Sequence, residues 1–402
     1  MKQAISTRNG YYDFKCQKLL QTSDVELPMA HPRPYRGLTD SRQKVLRLVW
    51  MSLAAALVFT SFAKHASAQT RSPAVVTPYT LRIVGGLAGI TQFTRQEEPF
   101  WTTELSRLSD GKFNAEIVPF DRAGVPAGEM LRLLQLGVVP FGTTLMSSLA
   151  AQYPEYTAAD LAGLNPDIAT LRTTMAAFRP YLEKMLRDQH SIEMLAVYVY
   201  PAQVVFCKQP LRALADLSGR RVRVSTPTQA DFVGALGGTP VRTEFSQIIP
   251  SIQGGAMDCA ITGTMSGNTL GLHRYTTHMH SMPVTWGLAI FAANQAAWDA
   301  LPAPLRALLR RELPRLEAAI WAESERETAD GIACNRGASN CTSGTRGSMV
   351  VTPTSEKDER QRQEIFSSVV LARWVQRCGA RCATVWNQTI APVRGLVAKP
   401  GP

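Results

Sequence analysis

Residues 211–263 read LRALADLSGRRVRVSTPTQADFVGALGGTPVRTEFSQIIPSIQGGAMDCAITG. Three short runs, Arg221–Ser225, Pro240–Thr243 and Met257–Ile261, have the composition of β-strands, and two helix-type segments separate them. Thr226 supplies a helix N-cap, Pro227 suits a first helical turn, and Gly237 is a stop. Strands alternating with helices argue for a parallel α/β sheet, whose small-molecule sites lie at the carboxyl ends of the strands. Arg223 interrupts this pattern. Flanked by Val222 and Val224, it projects to the face opposite theirs. Three kinds of partner are open to a guanidinium there: a structural carboxylate, solvent, or an anionic ligand gripped by its planar fork of donors.

The order DLSGRRVRV, a helix ending ALGGTPV, and then FSQIIPSIQGGAMDCAITG resembles the signature of the solute-binding proteins of tripartite ATP-independent periplasmic (TRAP) transporters. The likeness runs from about Leu81 to about Ala322 and more loosely to the C-terminus. It implies an α/β, periplasmic-binding-protein-like fold: two α/β lobes around a ligand cleft, joined by crossover strands and a long helix. It also implies a role for Arg223, which stands where the family's arginine pairs with the carboxylate of an organic acid. Many members read DGxENP after the third strand, with the asparagine at the ligand. This chain reads Asp258-Cys259-Ala260-Ile261-Thr262-Gly263, so the Thr262 hydroxyl replaces that amide.

Trp286 and Thr144 fall near cleft-lining positions of the family, while Gln92 and Phe93 follow the first strand and are candidates by position. Each has a blander reading: a core tryptophan, a turn-capping threonine. The resemblance implies a small organic acid as ligand and membrane permease subunits as partners, with no catalytic residue, cofactor or metal. A ligand-sensing adaptor to a membrane receptor and an exported hydrolase on the same scaffold are the alternatives.

Composition agrees with export. The net charge is +11, but residues 1–68 carry ten Lys/Arg against four Asp/Glu, which leaves 11 − 6 = +5 for the rest. That mild remainder lacks the concentrated basic stripe of a nucleic-acid binder. Arg42, Lys44 and Arg47 precede an apolar run at 48–62, and Ala66-Ser67-Ala68 offers a cleavage site before Gln69. A single-span anchor is the competing reading, and the run falls short of the roughly 20 residues a bilayer needs. Met29 is an alternative start. A periplasmic location follows from a cleaved signal peptide, and an oxidising compartment makes the six remaining cysteines disulfide candidates. Cys334/Cys341 and Cys378/Cys382 are local pairs, and Cys207 and Cys259 sit on two strands flanking the central stretch. A four-cysteine zinc site is the alternative, without the usual C-x₂-C spacing.

The expected organisation is a leader at 1–68, lobe one from 78–205, lobe two at 206–287, a return crossover and long helix at 288–325, and a disulfide-pinned loop with C-terminal helices at 326–402. Thr80–Gly85 and Phe113–Pro119 read as strands, Glu98–Ser109, Asp167–Gln189, Trp298–Trp321 and Glu356–Cys378 as helices, and Ser191–Phe206 as two strand-like runs broken at Pro201-Ala202. Enzymatic motifs are weak. The H-x₄-H-x-H group of His273, His278 and His280 does not share a helical face, so loop or capping roles are expected. The stretch TGTMSGN lacks the glycine spacing of a G-x-S-x-G elbow, and GGLAGI lacks the lysine of a phosphate loop.

Overall fold

The computed structural model describes residues 78–399. The signal-peptide reading falls on residues 1–68 and lies outside the described residues. Within them the chain builds two sheets. The first takes β1 (Tyr79–Gly85), β2 (Phe113–Pro119), β3 (Phe141–Leu145) and β4 (Ile192–Val199), and it is completed by the later strand β10 (Leu288–Asn294). Its order is β2-β1-β3-β10-β4, with β1 parallel to both neighbours and β10 antiparallel to β3 and β4. The second takes β5 (Gln203–Cys207), β6 (Arg221–Val224), β7 (Thr239–Arg242), β8 (Cys259–Gly263), β9 (His278–Thr285) and β11 (Val350–Thr352). Its order is β11-β9-β5-β8-β6-β7, with β6 parallel to β7 and β8. The central strands of both sheets are apolar on both faces, as in LAIFAA of β10, because helices cover each side.

The chain leaves the first sheet at Val199, enters the second at Gln203, and returns between Thr285 and Leu288. Pro201-Ala202 marks the first crossing, as its break in strand pattern predicts. Gln203–Val205, grouped with the first lobe from sequence, instead pair with β8 and β9 of the second sheet. The two crossings are tied together by the Tyr200 N–H donating to the Gly287 carbonyl at 3.1 Å.

Local signals set the helix ends. Asp167 accepts the Thr170 N–H at 2.7 Å and starts Ile168–His190, and Thr226 caps Pro227–Ala235 by accepting the Gln229 N–H at 3.1 Å. Gly237 follows the latter helix at φ 76°, a left-handed conformation that favours glycine. The long helix differs from its sequence expectation. It runs Ala303–Asn335, well past Trp321, because its second half buries a stripe at helical spacing made of Ser324, Glu327, Gly331 and Cys334. Small and polar residues on a buried face leave no apolar periodicity to read. At Gly331 the helix lies so close to Thr264–Leu270 that an added Cβ would stand 2.5 Å from the Thr264 carbonyl carbon.

This helix is fastened to both sheets. The Trp321 indole donates to the Val197 carbonyl at 2.8 Å, and Glu317 accepts the Val197 N–H at 3.0 Å. Thr328 accepts the Ala202 N–H at the crossing, at 3.0 Å, and Asn335 donates to the Thr264 carbonyl at 2.9 Å. Helices at Glu356–Ile365, Leu371–Cys378 and Ala380–Thr389 follow, the last of them placing Trp386 in the core beside Trp374.

The six cysteines form three disulfides, Cys207–Cys259, Cys334–Cys341 and Cys378–Cys382. Cys207 and Cys259 are direct partners in the β5/β8 register, so strand pairing alone brings them together. The loop or capping role expected for the histidines does not hold for His278 and His280, which lie on β9. His280 is buried, accepts the Met282 N–H at 3.2 Å, and faces Asp358 at 3.4 Å. Among the described residues no helix is long and apolar enough to cross a membrane.

Candidate functional site

The parallel strands of both sheets end at one cleft. From the first sheet come Leu87 and Ile90 after β1, Leu145 at the end of β3, and Ser147 and Ser148 in the turn that follows. From the second come Arg223 and Ser225 at the end of β6, Thr243–Phe245 after β7, and Thr262 with Gly263 at the end of β8. Tyr200, Gln203 and Gly287, at the two crossings, form the floor. The arrangement is that of ligand sites in open α/β sheets, at the carboxyl ends of strands where connections diverge.

Arg223 is 5% exposed and forms no ion pair among the described residues. Its Nε donates to the Thr243 carbonyl at 2.9 Å and its Nη1 to the Ile261 carbonyl at 2.8 Å. These two carbonyls fix the guanidinium plane at the cleft wall. Burial pulls its pKa down from 12.5 to about 10, partly offset by the Glu244 carboxylate, so the group stays cationic at neutral pH. By contrast Arg221, one turn of the pleat away, is exposed and paired with Asp258 at 2.6 Å. The two arginines share a face of β6, and position along the strand separates them: Arg221 opens it as a surface ion pair, and Arg223, nearer its carboxyl end, is a buried cation facing the cleft.

Thr262 lines the same wall and is 3% exposed. The other four candidates are placed elsewhere. Trp286 is buried beneath the cleft, its indole N–H held by the Asn165 carbonyl at 3.1 Å, so only its neighbour Gly287 reaches the cleft. Thr144 is buried within β3, and the end of that strand presents Leu145 instead. Gln92 and Phe93 open the helical segment after the β1 loop. Phe93 packs so closely on Gly85 that a Cβ there would lie 2.6 Å from its ring. Gln92 turns inward toward Glu97, at 3.5 Å.

Two polar networks that sequence reasoning missed hold the cleft in shape. Gln229 donates to Gln203 at 3.0 Å and to Thr285 at 2.8 Å, and its carbonyl accepts the Ser225 N–H at 2.7 Å. These residues come from four elements, so no local motif announces them. The second is centred on Glu97, which is fully buried. It accepts the Gly86 N–H at 2.9 Å and the Thr143 hydroxyl, tying the loop that carries Leu87 and Ile90 to β3.

Burial lifts the Glu97 pKa from 4.5 to about 7, against the lowering effect of Thr143 and Gly86. Between those values the unfolded chain ionises this carboxyl while the folded chain keeps its proton. The unfolded state binds fewer protons there, so this group's contribution to stability falls as pH rises from about 4.5 to about 7, by up to about 3 kcal/mol. Buried His190 and His280, with lowered pKa, change stability in the opposite sense. The informative quantity is therefore a difference. Urea melts at pH 5 and pH 8 should show Glu97→Gln gaining stability relative to wild type at the higher pH. An equal pH response in both proteins would remove Glu97 as the source.

The family model for bacterial extracellular solute-binding protein, family 7, matches residues 91–370. A solute-binding protein of Roseobacter denitrificans is 23% identical over 165 residues, 39% of this chain and 48% of that protein, so the match spans about half the length of that relative. Among solved structures, an extracytoplasmic solute receptor of Bordetella pertussis that binds pyroglutamic acid is similar with a TM-score of 0.68 at 20% identity, over 77% of this chain and 98% of that one. A TRAP periplasmic solute-binding protein from Desulfovibrio salexigens with bound orotic acid gives a TM-score of 0.67 at 16% identity, over 77% of this chain and 96% of that one. A further relative, from Desulfovibrio desulfuricans, holds sn-glycerol-3-phosphate (TM-score 0.65, 13% identity, 77% and 96% covered). At these identities the structures share the fold, and the family match over residues 91–370 settles membership: the chain belongs to the family 7 bacterial extracellular solute-binding proteins, the solute-binding proteins of TRAP transporters.

Proposed function

We propose that this protein is the periplasmic receptor of a TRAP-type secondary transporter, capturing a small organic acid and delivering it to the membrane permease. The observation that carries the reading is Arg223, a buried cation at the cleft wall with no carboxylate of the protein as ion-pair partner among the described residues. Its desolvation has already been met on folding, and two carbonyls hold its plane, so an incoming carboxylate meets an oriented fork. Thr262 and Ser225 supply hydroxyls beside it. A ligand touching both walls favours the closed arrangement of the lobes, because only there do both sets of contacts exist. The energy for uptake comes from the permease's ion gradient, so the receptor needs no catalytic group.

Calorimetric titration of protein refolded from denaturant tests this. The panel is small mono- and dicarboxylates, pyroglutamate, orotate and, as a non-carboxylate oxyanion, sn-glycerol-3-phosphate. One-to-one binding of at least one carboxylate is expected, with a thermal stabilisation of about 2.7 kcal/mol at 100 times Kd. Binding of the phosphate ester alone would overturn the carboxylate assignment, and absence of binding by every anion would overturn the receptor reading.

A further inference from the structure

The cleft has a second end. Beyond Ser147, Gln203, Ser225, Gly287 and Leu288, which it shares with the Arg223 region, it continues to Asp160, the only charged residue lining that extension among the described residues. We propose that the acid this cleft accepts carries a hydrogen-bond donor opposite its carboxylate, and that Asp160 receives that donor. The inference rests on the carboxylate reading of Arg223 and adds the chemistry of the ligand's other end.

Asp160 is held where a ligand reaching the floor of the cleft would meet it. Its carboxylate accepts the Trp286 N–H at 3.0 Å and the Gly287 N–H at 2.7 Å, both at the return crossing. It forms no ion pair among the described residues. A carboxylate offers about four lone-pair sites, so two backbone N–H donors and the Asn165 amide still leave acceptor capacity unused. The side chain keeps one face on the cleft, with the rest of its surroundings formed by protein. That setting lifts its pKa from 3.8 to about 7, burial outweighing the Gly287, Trp286 and Asn165 hydrogen bonds.

Consequences for the ligand are direct. Above about pH 7 Asp160 is a carboxylate, and a ligand carboxylate at Arg223 then brings a second negative charge into the cleft. An acid that is apolar at its far end leaves Asp160 desolvated without a partner, and a second carboxylate reaching that end adds repulsion. An O–H or N–H there turns the penalty into a charge-assisted hydrogen bond. The class favoured is therefore acids with a hydroxyl, amide or amine at the end remote from the carboxylate.

Matched pairs measure this: 4-hydroxybutyrate against pentanoate, and 4-hydroxybenzoate against 4-methylbenzoate, by calorimetry at pH 8 on wild type and Asp160→Asn. For at least one pair the donor-bearing member should bind wild type about 10-fold tighter or more, the scale of one hydrogen bond to a charged group. In Asp160→Asn that ratio should shrink toward unity. Because the wild-type ratio needs no variant, a destabilised Asp160→Asn leaves the test intact. Equal binding of both members in every pair would overturn this inference alone and leave the carboxylate reading standing. If no member of any pair binds while the phosphate ester does, the carboxylate reading falls and this inference falls with it.

Discussion

Arg223→Ala should weaken binding of the cleft's carboxylate ligand by about 100-fold or more, the loss expected when one partner of a buried charged hydrogen-bonded pair is removed. The guanidinium is 5% exposed, carries no ion pair among the described residues, and is oriented by the Thr243 and Ile261 carbonyls. Substitution also leaves those carbonyls without their donor, which costs about 1–3 kcal/mol of stability each if no water replaces it. Affinity must therefore be compared at a temperature where both proteins are folded, checked by circular dichroism. Arg223→Lys separates charge from geometry. It keeps a cation but loses the fork, so its affinity should fall between wild type and Arg223→Ala. An Arg223→Ala protein that is folded and binds with wild-type affinity would sink the proposal.

Replacing both Cys207 and Cys259 by alanine should destabilise the protein by about 4 kcal/mol, more than removing either other disulfide. In the chain-entropy account the effect grows with the loop closed. The sequence separation is 52 residues for Cys207–Cys259, 7 for Cys334–Cys341 and 4 for Cys378–Cys382. Both sulfurs of the long-range pair lie in the core, so cavities add to the loss. The link also joins β5, which carries Gln203 at the cleft floor, to β8, which carries Thr262. Urea melts of the three double variants give the ranking. If the Cys207/Cys259 variant is the mildest of the three, loop closure is not what this bond contributes.

The two-sheet architecture was legible because its evidence is local. Alternating strands and helices around DLSGRRVRV, the break at Pro201-Ala202, and the cap at Thr226 each lie within a few residues of what they predict. Arg223 was legible for the same reason, since strand alternation alone separates it from its valines. What stayed hidden depends on distance in the chain. Gln203, Ser225, Gln229 and Thr285 form one network only after the sheets assemble. Trp286 and Gly287 are adjacent, yet one turns to the Asn165 carbonyl and the other to the cleft, a choice made by tertiary packing. Asp160 lies in YPEYTAADLAGL, where no local pattern singles it out. Its importance comes from the backbone N–H groups of Trp286 and Gly287, more than 120 residues later.

The 33-residue helix Ala303–Asn335 is about 50 Å long. One half is fastened to the first sheet at Val197, the other to Thr264, which opens the helix after β8, and Thr328 meets the crossing at Ala202. On the proposed receptor reading, a rotation of one lobe against the other about the crossings would have to bend this rod or release one of its fastenings. The helix would then act as a spring on closure, and its stiffness, set by residues outside the cleft lining, would enter the balance between open and closed forms.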